Sequence, residues 1–276
     1  MPLESTHACH SCPAHSPAAL RRVGVDISKA DFVVALAGNP NTGKSTVFNA
    51  LTGLRQHVGN WPGKTVARAE GGLTYNNKIY KLIDLPGTYS LLSTSVDEEI
   101  ARDFILFGRP DVTIVLVDAT RLERNLNLAL QILEITDRAV IALNLIDEAT
   151  RHGITVDDRH LARKLGVPVV PMTARRGQGV PELLQAVEAV ATRSYATHPH
   201  RIRQRDAQLE QAIQQLVAGL ERDFPDLPNA RWVALRLLDG DTAIEEAVRT
   251  GALGAQPRVA ESQPAAEMIP LEAVTA

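Results

Sequence analysis

The run Gly38-Asn39-Pro40-Asn41-Thr42-Gly43-Lys44-Ser45 sets two glycines, a lysine and a hydroxyl in the order G-x-x-x-x-G-K-[ST]. Residues of these types at this spacing hold phosphate. Gly38 and Gly43 lack a Cβ, so successive main-chain N–H groups can turn inward toward phosphate oxygens while the following helix offers its positive N-terminal end. Lys44 reaches the β- and γ-phosphates and the Ser45 hydroxyl ligates Mg²⁺. Asn39, Pro40 and Asn41 stiffen and polarise the loop, and Thr42 and Thr46 belong to the same cradle. The loop sits between a strand-like run, Phe32 to Ala37, and a helical one, Thr46 to Leu51, which is the context in which the pattern binds a nucleoside triphosphate.

Further chemistry follows in order along the chain. Asp84-Leu85-Pro86-Gly87 comes after the strand-like Ile79 to Ile83, so Asp84 falls at a strand's carboxyl end, where it can hold a water on Mg²⁺, and Gly87 can offer its amide to a γ-phosphate. D-x-x-G alone carries little information; its order and distance after the phosphate loop give it weight. Between the two lies the turn-rich Val58-Gly59-Asn60-Trp61-Pro62-Gly63-Lys64-Thr65-Val66. Thr65 is the candidate whose hydroxyl joins Mg²⁺ only when the γ-phosphate is present, with Gly63 and Lys64 beside it at the nucleotide. A strand is expected from Val66 to Thr74.

The next apolar runs, Val112 to Val117 and Ala139 to Leu143, lead into Asn144-Leu145-Ile146-Asp147. This resembles the guanine-reading N-K-x-D element of GTPases, with Leu145 in place of lysine. Asp147 would accept hydrogen bonds from the guanine ring N–H and amino group, a pattern adenine does not offer. A charged acceptor left unpaired costs about 1.5–3 kcal/mol, enough for ten-fold discrimination. Losing the lysine's charge predicts modest affinity and faster exchange. Thr173-Ala174-Arg175, after strand-like Val167 to Met172, resembles the final guanine-binding loop. The residue after Gly87 is Thr88, so the glutamine that orients water in Ras-like enzymes is missing, and unassisted hydrolysis is expected at about 10⁻⁴ to 10⁻² per second.

Elements alternating in this way predict an α/β fold: a P-loop GTPase with a mixed, mostly parallel sheet and flanking helices, followed by a small all-α domain. Leu183, Leu184, Val187 and Val190 recur at helical spacing and mark the last helix of the first domain. Beyond Arg193, Asp206 to Arg222, Arg231 to Leu238 and Thr242 to Val248 read as short amphipathic helices broken by Pro225-Asp226-Leu227-Pro228. The expected divisions are a tail at 1–30, a G domain at 31–192, a helical domain at 193–252 and a linker at 253–276.

Three stretches taken together go beyond a generic GTPase: Gly38 to Asn41, Val58 to Val66, and Asp84-Leu85-Pro86-Gly87-Thr88-Tyr89-Ser90-Leu91. They resemble the cytosolic G domain of the ferrous iron transport protein B family, FeoB, and Asn229 to Asp241 is similar to that family's helical domain. The resemblance spans roughly residues 31 to 252 and implies several things that spacing does not show. The chain would be the cytosolic part of a bacterial inner-membrane Fe²⁺ importer, lying at the cytoplasmic face, with a helical domain that stabilises GDP. Its partners would be GTP and GDP, a transmembrane iron-permeation domain, small Feo accessory proteins and further copies of itself. Asn41 would help bind K⁺, adding positive charge beside the developing phosphate charge. Lys44, Thr65, Gly87 and Asn41 are then the candidate catalytic groups, with Mg²⁺ as cofactor and K⁺ as activator.

With 276 residues and 45% hydrophobic content, the chain has ample material for one α/β core and a smaller unit. A net charge of −3 gives no electrostatic reason to expect nucleic acid, and Arg175-Arg176 and the Arg201 to Arg205 cluster read as solvated faces. No run approaches the roughly 20 apolar residues that span a bilayer, so this polypeptide is expected to be soluble. Cys9 and Cys12, within His7-Ala8-Cys9-His10-Ser11-Cys12-Pro13-Ala14-His15, suit a soft or borderline metal or a reduced, unstructured tail, and both readings stay open. Two alternatives to the transporter reading are a soluble GTPase of ribosome or tRNA maturation and a nucleotide sensor with negligible turnover.

Overall fold

Long apolar runs dictate the centre of the molecule. In the computed structural model, β1 (Phe32–Gly38), β5 (Val112–Asp118) and β6 (Ala139–Asn144) are buried along their whole length, as expected of parallel strands covered on both faces. The structure describes residues 20, 25, 30–53, 56–62, 64–92, 95–201, 206–225, 227 and 229–250. Gly63, the Cys/His tract, residues 202–205 of the arginine cluster and the expected linker at 253–276 lie outside the described residues.

Seven strands form one sheet in the order β2-β3-β4-β1-β5-β6-β7. The added strands are β2 (Gln56–Asn60), β3 (Ala67–Tyr75), β4 (Lys78–Asp84) and β7 (Val169–Pro171). β4, β1, β5, β6 and β7 run parallel, whereas β3 is antiparallel to both β4 and β2. This is the mixed, mostly parallel sheet read from the sequence.

Strand alternation divides the core in two. On one face Val33, Ala35, Ile83, Val115 and Ile141 pack with α2 (Val96–Asp103), the π-helical turn Phe104–Gly108 that continues it, and α3 (Leu122–Ile135). On the other, Val34, Leu36, Leu82, Ile114 and Val140 pack with α1 (Lys44–Thr52) and α6 (Val180–Ala191). Leu183, Val187 and Val190 of α6 are buried and Leu184 is half-buried, as their spacing predicts. The short helices α4 (Ile146–Arg151) and α5 (Asp158–Leu165) connect β6 to β7.

The region expected to be turn-rich is partly a strand. Gln56–Asn60 pairs antiparallel with β3 as the sheet's edge, from Gln56↔Gly71 to Asn60↔Ala67. It contains one β-branched residue and a glycine, so its pairing comes from the ladder that β3 offers rather than from local propensity.

The C-terminal helices form where expected: α7 (Ala207–Asp223), α8 (Ala230–Leu238) and α9 (Thr242–Arg249). Asp206, Asn229 and Asp241 cap them through side-chain oxygens. Arg231 joins α8 to α7 by a two-pronged pair with Glu210 at 2.7 and 2.9 Å. Ile213, Leu220, Trp232, Val233 and Ile244 continue the core on the α3 side of the sheet.

Candidate nucleotide site

The chemical residues gather at the carboxyl ends of the parallel strands, where open α/β sheets bind ligands. β1 ends at Gly38 and feeds the phosphate loop, β4 ends at Asp84, and β6 ends at Asn144. Thr173 follows β7, and Ala174 opens a 3₁₀ turn.

The loop has the backbone that its composition predicts. Asn41 has φ 65° and Gly43 has φ 86°. A Cβ on Gly43 would lie 2.5 Å from Asn144 Nδ2, so glycine is required there for space as well as for conformation. The Thr42 hydroxyl donates to the Asn39 carbonyl at 2.8 Å, closing the loop on itself. Asn39 is buried, and neither end of its carboxamide has a hydrogen-bond partner among the described residues. Asn41, Ser45 and Thr46 face solvent.

Lys44 Nζ lies 2.5 Å from Asp84 Oδ1, which brings together two residues forty positions apart in the sequence. Burial raises the Asp84 pKa above the ordinary carboxylate value, an effect the adjacent Lys44 only partly offsets. Gly87 is packed against the loop, since a Cβ there would sit 3.5 Å from the Pro40 backbone. Thr88 is buried.

Asn144 is the joint of the site. Its Nδ2 donates to the Thr42 carbonyl at 2.9 Å, and its Oδ1 accepts from the Ala174 amide at 3.1 Å. One buried carboxamide thus ties the phosphate loop to the turn at 173–176, and the Ala174 N–H is already engaged. Leu145 has φ 63°, a left-handed conformation that costs a branched side chain about 1–2 kcal/mol. That conformation starts α4 so that Asp147 falls in its first turn, where Arg176 Nη2 approaches the carboxylate at 3.8 Å.

Thr65 lies exposed in the turn before β3. Lys64 Nζ meets Glu99 Oε2 at 3.0 Å, linking that turn to α2 rather than to the phosphate loop. Trp61, which sequence reasoning gave no role, is buried edge-on against Phe104 at 5.6 Å, with the Arg68 guanidinium 5.3 Å from its ring centroid. A tryptophan inside polar, turn-forming text was the available signal, because so large an apolar side chain seldom stays in water.

The donor set fits a hard cation. The Ser45 hydroxyl and the Asp84 carboxylate are oxygen donors of the kind Mg²⁺ prefers, and the desolvated charge on Asp84 has reason to seek positive partners. The exposed Asn41 carboxamide adds a further hard oxygen donor on the same loop.

A family model described as ferrous iron transport protein B matches residues 32–187. The chain belongs to the FeoB family. A second FeoB model, for the cytosolic helical domain, matches residues 206–269. The Fe(2+) transporter FeoB of Shigella flexneri is 41% identical over 214 residues, and that of Salmonella typhimurium is 42% identical over the same length. In each case the alignment covers 76% of this chain and 27% of the relative, so the chain spans about a quarter of the curated FeoB proteins it matches. Among solved structures, the cytosolic domain of T. maritima FeoB in apo form aligns with TM-score 0.72 and 40% identity, covering 83% of this chain and 88% of that one. A GDP form of the same domain aligns with TM-score 0.71. The cytosolic domain of L. pneumophila FeoB aligns with TM-score 0.72 and 36% identity, covering 80% and 87%. The fold is thus that of a P-loop GTPase.

Proposed function

We propose that this chain binds and hydrolyses GTP as the cytosolic, nucleotide-dependent switch of a bacterial ferrous iron transporter. The observation that carries the reading is the convergence of the 38–45 loop, Asp84, Asn144 to Asp147 and Thr173-Ala174 on one end of the sheet, fastened by Lys44 to Asp84 and by Asn144 to both flanking loops. The cytosolic domain of T. maritima FeoB, solved in two GDP forms, supports it.

In this reading the amides of Gly38 to Thr46 cradle the phosphates, Lys44 exchanges Asp84 for phosphate oxygens, and Asp147 reads the guanine edge. Gly87 offers its amide at the γ-phosphate, and Thr65 meets the nucleotide when GTP is bound, with Lys64 adjacent. Ser45, Asp84 and Thr65 would hold Mg²⁺ and Asn41 would hold K⁺; both ions would supply positive charge beside the charge developing on the β- and γ-phosphate oxygens. Water attacks the γ-phosphorus, the bond to the β-phosphate oxygen breaks, and GDP and phosphate result. Thr88 stands where Ras-like enzymes carry a water-orienting glutamine, and it is buried, which supports a slow unassisted rate. Residues 31–192 act as the G domain and 193–252 as a helical unit that favours the GDP state. The fragment works at the cytoplasmic face of the inner membrane, against a transmembrane iron-conducting domain, with accessory Feo proteins and further copies as candidate partners.

The test is calorimetry with GDP, GTP and ATP in Mg²⁺, followed by single-turnover hydrolysis in K⁺ and in Na⁺. Guanine nucleotides should bind at least ten-fold tighter than ATP, and K⁺ should accelerate turnover. Equal affinity for ATP would overturn the assignment. Asp147→Asn should move preference toward xanthine nucleotides, whose carbonyl oxygen in place of guanine's amino group accepts from an amide.

A further inference from the structure

The segment after Gly87 is held by one helix, and the C-terminal helices grip that same helix one turn away. Gln131 of α3 presents its carboxamide oxygen to both the Leu91 amide, at 2.7 Å, and the Ser90 hydroxyl, at 3.2 Å. Ser90 Oγ in turn accepts from the Leu92 amide at 3.1 Å. Seven residues earlier on the same face of α3, the Arg124 guanidinium stacks 4.4 Å from the ring centroid of the exposed Tyr89. Residues 89–91 therefore touch α3 directly, Ser90 and Leu91 by hydrogen bonds and Tyr89 by its ring, and Leu92 is held through Ser90.

The end of α3 is fastened from the other side. Asn229, the N-cap of α8, accepts from the Trp232 amide through Oδ1 at 2.9 Å. Its Nδ2 donates to the Glu134 and Ile135 carbonyls, both at 2.9 Å. Arg201 Nε donates to the Leu133 carbonyl at 3.1 Å. These are carbonyls of the last helical turn, which the helix's own amides do not reach. Gln131 stands within one turn of all three, so the contacts that clamp 133–135 also fix the place from which Gln131 reaches residues 90–91.

We propose that Gln131 is a positioning residue for the segment at 89–92, and that the C-terminal helices act on that segment by holding, through Asn229, the helical turn that carries Gln131. The inference rests on the reading of 84–92 as nucleotide-sensing, and it gives that reading a physical route from the nucleotide to the helical unit. The route is short: one carboxamide, one helical turn, one cap residue.

Asn229→Asp is the discriminating variant. It keeps the oxygen that caps α8 but replaces the amide that donates to the α3 carbonyls with a carboxylate that repels them. Gln131→Leu removes the acceptor, and Gln131→Glu retains one. Hydrogen exchange of the Leu91 and Leu92 amides in nucleotide-free full chain is the first readout. Exchange should quicken by about three- to ten-fold in Gln131→Leu and in Asn229→Asp, the range expected when one hydrogen bond is lost, and Gln131→Glu should remain near the parent. The second readout is the ratio of GDP to non-hydrolysable GTP analogue affinity, which should shift in both variants and shift no further in the double variant. Unchanged Leu91 exchange in an Asn229→Asp protein with native circular dichroism would overturn the proposal. Parent protein that holds no guanine nucleotide would instead sink the function proposed above, while the exchange measurement would still decide the route.

Discussion

Asn144→Ala tests how the site is built. The carboxamide is 2% exposed and makes two hydrogen bonds, to the Thr42 carbonyl and from the Ala174 amide. Each bond contributes about 0.5–1.5 kcal/mol net, and each buried partner left alone costs about 1–3 kcal/mol unless water reaches it. With water reaching one of the two through the space the side chain leaves, the loss is about 2–4 kcal/mol. For a typical urea dependence this lowers the unfolding midpoint by roughly 1–2 M, readable from the fluorescence of the buried Trp61 and Trp232. GDP affinity should fall as well, because the loops on either side of the nucleotide lose their common tether. Asn144→Asp should be at least as damaging: it keeps an acceptor for Ala174 but sets a desolvated carboxylate against the Thr42 carbonyl. A midpoint change below about 0.3 M for Asn144→Ala, with nucleotide affinity alone reduced, would refute the view that this residue acts by joining the loops.

Gly43→Ala should abolish nucleotide binding by equilibrium dialysis, because φ 86° and a Cβ placed 2.5 Å from Asn144 Nδ2 force the loop open; retained binding would show the cradle to be more pliable than its geometry indicates. Trp61→Ala should cost about 3–5 kcal/mol in urea unfolding, the usual range for a fully buried large aromatic, and a loss under 1 kcal/mol would mean that Trp61 is not part of the core. Burial raises the Asp103 pKa, against the opposing pull of Arg102 2.8 Å away. The folded state therefore binds this proton more tightly than the unfolded state does, and the benefit is lost as pH rises through the folded pKa. Parent protein should thus gain stability relative to Asp103→Asn as pH falls from 7 to about 4, the range of an ordinary aspartate, and a relative loss would mean that Arg102 outweighs burial.

The phosphate loop was legible because its geometry is local: contiguous residues, Gly38 to Ser45, supply both the amides and the backbone conformations that turn them. The sheet's central strands were legible because burial on both faces demands unbroken apolar runs such as Val112 to Val117. The same applies to Asp84 and Asn144, which end such runs, and to Asp147, which follows three residues after Asn144 in the first turn of α4. β2 escaped because Gln56 to Asn60 has no pattern of its own and forms a strand only when β3 offers a ladder. Trp61 was read as part of a turn because nothing nearby in sequence announces Phe104 as its partner.

What the chain's order of residues determined, then, is the list of chemical groups and the strand ends that carry them, since both depend on neighbours within a few positions. Tertiary structure alone decided which groups meet. Asn144 reaches Thr42 across 102 residues and Ala174 across 30, and Asn229 reaches Glu134 across 95. Such contacts are set by the stacking of strands and the docking of α3 and α8, and a hydrogen bond of about 3 Å leaves no trace in the residues that lie between its ends.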